Sequence, residues 1–265
     1  MFFVHDGGET QKWRLKGHAE DDFWKWMCSW SVMITKPSDL GYDDGDFILP
    51  DLEIIQEEVE SSQYDSEFLF QLDANTLKER QTARKNSVDA RVKRVAELVS
   101  NSNESWLVWC DLNHESEALK KAIPDALEVK GSDKPEIKES RLLGFSEGSP
   151  RVLVTKPSIA GWGMNWQHCS NMCFTGLSDS YEQFYQAVRR SWRFGQTKNV
   201  KCYVVTSSSE GAVVKNIQRK ERDSLRMREM MLKHMADIEK QNLKGTSQNK
   251  TEYKPSKQMK VPSFL

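Results

Sequence analysis

The sequence predicts an α/β fold: a parallel sheet with helices on both faces, an N-terminal connector and one long C-terminal helix. Three observations carry that expectation. Residues 106–110 (WLVWC), 151–155 (RVLVT) and 200–206 (VKCYVVT) are compact, largely apolar runs of strand length, as strands buried on both faces are. Segments of helical length separate them, which crossovers between parallel strands require. A chain of 265 residues, 38% hydrophobic and 29% charged, suffices for one sizeable core with appendages.

In order along the chain, residues 1–22 have turn signals at Asp6-Gly7-Gly8 and little apolar period, so they read as a loop. Residues 22–31 read as a short helix capped by Asp21 or Asp22, with Phe23, Trp26, Met27 and Trp30 on one buried aromatic side. So many tryptophans in so short a piece call for a larger partner surface. Residues 36–45 form a turn-rich connector, followed by Phe47-Ile48-Leu49-Pro50 and a strand over 54–59. A helical region over 76–100, with a break near Asn86-Ser87, has charges that read as a solvated face. Next come the central strand 106–110 with Asp111 at its lip, a helix over 114–123, a short strand over 127–129 and a helix over 134–145. Strands over 151–155 and 171–175 precede a helix over 181–194, whose Tyr181, Phe184, Tyr185, Val188 and Trp192 form a core-facing stripe. After the strand 200–206, residues 210–240 read as a charged helix and 241–265 as a disordered basic tail.

The net charge of −1 hides an asymmetry, because the first seventy residues are acidic and the chain from Gly211 onward is basic. Five cysteines at irregular spacing, with neither a signal peptide nor an apolar run near twenty residues, imply a reducing, cytoplasmic setting without disulfides or membrane spans. His168, Cys169 and Cys173 lie close together, but no second pair stands at ligand spacing, so they read as packing residues and no metal site is expected.

The chemically unusual stretch is 151–196. After the strand and Lys156, Gly161 and Gly163 stand one residue apart, which lets backbone N–H groups turn toward a phosphate. Further on, Gln186, Arg190 and Arg193 follow at i, i+4 and i+7, so an amide and two guanidinium groups project together. On an arbitrary helix this would be a solvated face, its cations favoured by the macrodipole. Here the order of strand, A-G-W-G-M-N loop, strand and Q-A-V-R-R-S-W-R-F-G-Q resembles motifs V and VI of superfamily 2 helicases, most closely the Swi/Snf-like DNA-translocating ATPases. The second motif matches without a gap. The K-P-S-D-L-G-Y segment at 36–42, an aspartate-rich turn and an L-P element resemble the region joining the two lobes in phage-type members. Gly131, Arg141 and Phe145 resemble the G…R-x-x-x-F segment before motif V, although Arg141 reads equally as a surface cation. Two departures are Ala160, where relatives usually carry another glycine, and the bulky Trp162.

The resemblance implies a RecA-like C-terminal lobe over 71–207, with 1–70 the end of a first lobe and its connector, 208–240 a charged helix and 241–265 a tail. It implies that Arg190 and Arg193 are arginine fingers oriented by Gln186, that Gly161, Gly163, Gly195 and Gln196 lie at the nucleotide, and that Lys156, Asn165 and Arg141 meet nucleic acid. The implied cofactor is ATP with Mg2+, and the implied partners are DNA, bound through its backbone without sequence preference, and a P-loop-bearing first lobe supplied in cis or trans. The sequence holds no G-x-x-x-x-G-K-[ST] and no D-E-x-H-like acidic pair after a strand, so no ATP hydrolysis is expected from this chain alone. The alternative is a catalytically inert RecA-like module that binds nucleic acid or protein. A dinucleotide enzyme would need an early G-x-G-x-x-G, which the sequence lacks.

Overall fold

The computed structural model describes residues 2–5, 13–60 and 84–243. In chain order it has strands β1 (Phe3–His5) and β2 (Trp13–Leu15), helix α1 (Glu20–Cys28), strand β3 (Leu52–Val59) and helix α2 (Val88–Ser100). Then come β4 (Trp106–Trp109), α3 (Asn113–Ala122), β5 (Ala126–Glu128), α4 (Pro135–Ser146), β6 (Val152–Thr155) and the single turn α5 (Pro157–Ala160). The chain continues through β7 (Asn171–Thr175), α6 (Tyr181–Val188), β8 (Val200–Ser207) and α7 (Gly211–Leu243). The expected turn at Asp6-Gly7-Gly8 and the expectations for residues 61–83 and 244–265 lie outside the described residues. No helix of the described residues is long and apolar enough to cross a membrane.

Two compact units emerge, Met1–Asp43 with Arg226–Leu265 and Asp44–Leu225. In the smaller unit the expected N-terminal loop is a two-stranded antiparallel hairpin, Phe3 opposite Leu15 and His5 opposite Trp13. Its strands are three residues long, too short for a legible alternation, and ring contacts of Phe3 with Phe23 and His5 with Trp13 hold them. Glu20, Asp21 and Asp22 stand in the first turn of α1, where the helix dipole favours them. The buried side of α1 also differs from the expected one. Trp24 and Cys28 pack against Met231 and Met235, whereas Trp26 and Trp30 are exposed.

The larger unit is the predicted α/β core. Its six strands are all parallel, in the order β3-β8-β7-β4-β6-β5. All four residues of β4 are buried, and the pleat sends them alternately to two cores. Trp106 and Val108 meet α2 through Val88, Val92, Val95 and Val99, and meet α3 through Leu119. Leu107 and Trp109 face a second core with Phe145 of α4, Ala160 of α5, Phe184 and Val188 of α6, and Val213 and Ile217 of α7. The connections leaving β4 and β7 therefore run to opposite faces, which opens a crevice at the C-terminal ends of the strands, where such sheets take ligands.

One side of that edge is locked by charge. Arg84 and Arg91, expected on a solvated face, are buried instead. Arg91 donates to Glu115 Oε1 (2.8 Å), the Thr175 carbonyl (2.5 Å) and Ser87 Oγ (2.9 Å), and pairs with Glu210 at 3.4 Å. Arg84 pairs with Asp111 at 2.9 Å and lies 3.7 Å from Glu115. Gly176, at φ +92°, leaves room for the guanidinium, because a Cβ there would sit 2.5 Å from Arg91 Nη1. The network thus fastens α2 to the ends of β4, β7 and β8. Arg91→Met is expected to destabilise the protein by about 3–5 kcal/mol in urea unfolding, since two carboxylates lose a buried partner. Arg91→Met with Glu115→Leu should cost less than the sum of the single changes.

Candidate phosphate and nucleic-acid site

The glycine loop and the arginine segment meet in the structure. After β6, Lys156 caps α5, Pro157 opens it, and Gly161 closes it by donating its N–H to the Pro157 carbonyl at 2.8 Å. Gly161 is helical, at φ −68°, rather than left-handed, and its need for glycine is spatial: a Cβ there would meet the Pro157 oxygen at 2.3 Å. Gly163 has the left-handed φ of +80° with open space around it. Ile159 and Met164, flanking the exposed tip, are anchored in the core.

Helix α6 begins with Ser180, whose hydroxyl accepts from the Gln183 N–H, but ends at Val188, six residues short of the expected 194. The chain there tightens into turns, with Ser191 N–H bonded to the Val188 carbonyl, while the Arg190 carbonyl is taken by Trp166 N–H at 2.9 Å. A tertiary main-chain bond thus competes with continuation of the helix. Arg190 and Arg193 lie beyond the helix end and are held by the loop. Arg190 donates Nη1 to the Met164 carbonyl (2.9 Å) and Nε to the Gln186 carbonyl (3.0 Å). Arg193 donates Nη1 to Asn165 Oδ1. Gln167 Nε2 reaches the Phe194 carbonyl at 3.1 Å, so residues 164–167 and 190–194 are laced together. Trp166 roots the lacing in the core, fully buried against Phe145 and Trp109, with its indole N–H on Ser146 Oγ at 2.9 Å.

The electrostatics of this corner are unusual. Arg190 is 8% exposed, and among the described residues neither it nor Arg193 has a carboxylate partner. Burial, then the neighbouring charges of Arg193 and Arg189, push the Arg190 pKa below its ordinary value. Arg193 Nε is buried without a hydrogen-bond partner, and so is Ser191 Oγ. From Arg151 to Ser209 the carboxylates are Asp179 and Glu182 alone. Carbonyl dipoles and one amide therefore do what a carboxylate does elsewhere, and they leave the pair net positive.

The other expected site residues are placed as follows. Gln186 takes part through its main-chain oxygen. Gly195 has φ +90°, and the buried Gln196 is engaged internally: its Nε2 donates to the Ser191 carbonyl (3.3 Å), while its Oε1 accepts from the Thr197 and Lys198 N–H groups at 3.0 and 2.9 Å. Lys156 Nζ sits on Asn113 Oδ1 at 2.7 Å. Arg141 is bonded to the Glu128 carbonyl (2.8 Å) and Asp133 (3.0 Å) at the edge strand. Cys169 and Cys173 are buried, and burial raises their thiols, Cys169 to about 12. His168 packs edge-on against Phe145. Sequence reasoning missed Met164 and Gln167, because a main-chain acceptor and a loop amide leave no pattern. It also missed the stacking of Phe47 on Phe194, ring centroids 5.0 Å apart, and the bond from Trp192 Nε1 to the Pro50 carbonyl at 2.7 Å.

The sequence matches no protein-family profile and no curated protein. Among solved structures it is similar to the C-terminal part of the Fun30 ATPase domain, at 14% identity over 64% of this chain and 89% of that one, with a TM-score of 0.49. It is similar to a DEAD box protein from the hyperthermophile Methanococcus jannaschii, at 16% identity over 65% of this chain and 40% of that one, with a TM-score of 0.48. A third likeness is to the C-terminal domain of the DEAD-box protein Dbp5, at 14% identity over 65% and 86% of the two chains, with a TM-score of 0.46.

The two loop glycines make a testable contrast. Gly163→Ala is expected to cost about 1 kcal/mol, for its left-handed φ alone. Gly161→Ala should cost more, about 1–3 kcal/mol, because the methyl overlaps a carbonyl that cannot move without unwinding α5. Urea midpoints of the two variants check the order.

Proposed function

We propose that this chain acts as the C-terminal half of an ATP-dependent superfamily 2 helicase or DNA translocase of the Swi/Snf-like kind. In this reading residues 71–207 are its RecA-like lobe, and the P-loop belongs to a first lobe supplied in cis or trans. The observation that carries the proposal is the pair Arg190 and Arg193, two adjacent guanidinium groups without a carboxylate partner among the described residues. Such a pair has room in its charge balance for a polyphosphate. ATP supplies the phosphoryl group and the hydrolysis that drives the cycle. Arg193, held by Asn165 through one of its terminal nitrogens, would meet the phosphate directly, and Arg190 would set its approach through the Met164 carbonyl. Gln186 and Gln196 hold the arginine segment in shape, and Gly195 lets it turn.

Among the described residues no three His, Cys, Asp or Glu converge as metal ligands, so none of them is assigned to magnesium, which belongs with the P-loop lobe. DNA runs along the glycine loop, touched by backbone donors near Gly161 and Gly163, by Asn165 and by Lys156, through phosphates and hence without sequence preference. Arg141, spent on Glu128 and Asp133, contributes at most to the margin of that path. The protein would work in the cytoplasm.

A second reading, an inert RecA-like module for nucleic acid or protein, has one observation in its favour: Arg190 is spent on two main-chain oxygens. Reconstitution separates the two. With a P-loop lobe supplied, DNA-stimulated ATP hydrolysis should appear, and Arg193→Ala should lower kcat about a hundredfold or more while ATP binding changes less. Arg193→Lys should not restore the rate, because an ammonium lacks the planar fork. If Arg190→Ala and Arg193→Ala both hydrolyse ATP at the unmutated rate in the reconstituted complex, the arginine assignment is wrong and the inert module is the better reading.

A further inference from the structure

We infer that Trp162 is a nucleobase-stacking side chain, so that the glycine loop grips a DNA strand by one of its bases as well as by its phosphates. The inference rests on the nucleic-acid reading of this loop and adds a ligand group to it. Trp162 is 56% exposed, stands outside every core cluster and has no ring partner among the described residues. Its display is built rather than incidental. Gly161 N–H fixes one side to α5, Gly163 turns the chain at φ +80° on the other, and Ile159 and Met164 anchor both flanks in the core. Phe194, by contrast, is exposed but already stacked on Phe47, and Trp192 is covered by Arg189 at 5.2 Å. The free indole is therefore a fixed platform with an unused face.

Charge decides what that face takes. Lys156 heads the loop that carries the indole, and Arg190 and Arg193 are laced to that loop through Met164 and Asn165, while the whole stretch from Arg151 to Ser209 contains only Asp179 and Glu182 as carboxylates. Asp179 is itself engaged with Asn216 at 3.0 Å. A protein surface matched to an exposed tryptophan would need acidic groups around an apolar pocket. A nucleic-acid strand offers both requirements in its own repeat, a flat base for the ring and phosphates on either side for the cations.

The test is direct binding of the full chain to a fluorescein-labelled oligothymidine strand and to an abasic strand of the same length. Trp162→Ala should weaken binding to oligothymidine about tenfold, or about 1.4 kcal/mol, and leave binding to the abasic strand unchanged. Trp162→Phe should keep most of the affinity, whereas Trp162→Leu, apolar but without a π face, should behave like alanine. Lys156→Ala, at a residue given to the DNA phosphates, should weaken both strands and flatten the salt dependence, which the Trp162 variants leave alone. Equal losses on both strands, or no loss on either with Lys156→Ala still effective, would overturn the stacking inference and keep the nucleic-acid reading. Failure of the unmodified chain to bind either strand would overturn both.

Discussion

The arrangement depends on how a buried guanidinium is kept without a counter-charge. Arg190 is nearly covered, yet its donors end on the carbonyls of Met164 and Gln186. A carboxylate there would neutralise the corner and make it an ordinary internal ion pair. Carbonyl oxygens satisfy the N–H groups, which burial demands, while leaving the charge uncancelled. Helix α6 stops early to allow this, because Arg190 can bond to Met164 and its own carbonyl to Trp166 only if the chain leaves the helical path after Val188. The site and the end of the helix are one feature.

The opposite choice is made a few strands away. Arg84 and Arg91 are buried too, but among Asp111, Glu115 and Glu210, and there the charges close on themselves. That cluster ties α2 to the ends of three strands. Two pairs of arginines thus serve two ends, Arg84 and Arg91, both buried, fastening the edge, and Arg190 with the half-buried Arg193 holding positive charge at the loop. What separates them is the supply of carboxylates, abundant on α3 and at Glu210 and nearly absent between Arg151 and Ser209.

Much of the architecture was legible in the sequence because the central strands are buried on both faces. WLVWC and RVLVT have no polar side to present, and no other local structure uses such runs so economically. The contact of the A-G-W-G-M-N loop with the arginines was not legible: motif order gave Asn165 to nucleic acid and Arg193 to the nucleotide, whereas Asn165 Oδ1 accepts from Arg193 Nη1. Nor were helix ends and faces legible. The end of α6 is set by bonds to residues more than twenty positions away, and the burial of Arg91 by Glu115, Thr175 and Glu210, none of them near it in sequence. Of the apolar stripe expected on α1, Phe23 and Met27 pack inward, whereas Trp26 and, beyond the helix end, Trp30 are exposed. Where tertiary bonds outvote local preference, periodicity misleads.

The central claim is that Arg190 and Arg193 form a corner with positive charge to spare. It is tested most directly by 15N NMR of the arginine side chains during titration with inorganic triphosphate. The account predicts a saturable shift of Arg193 Nε, followed by Arg190, at concentrations that leave the exposed, ion-paired Arg219 unmoved. Resonances of Arg190 and Arg193 that stay still, or move only in step with Arg219, would contradict it.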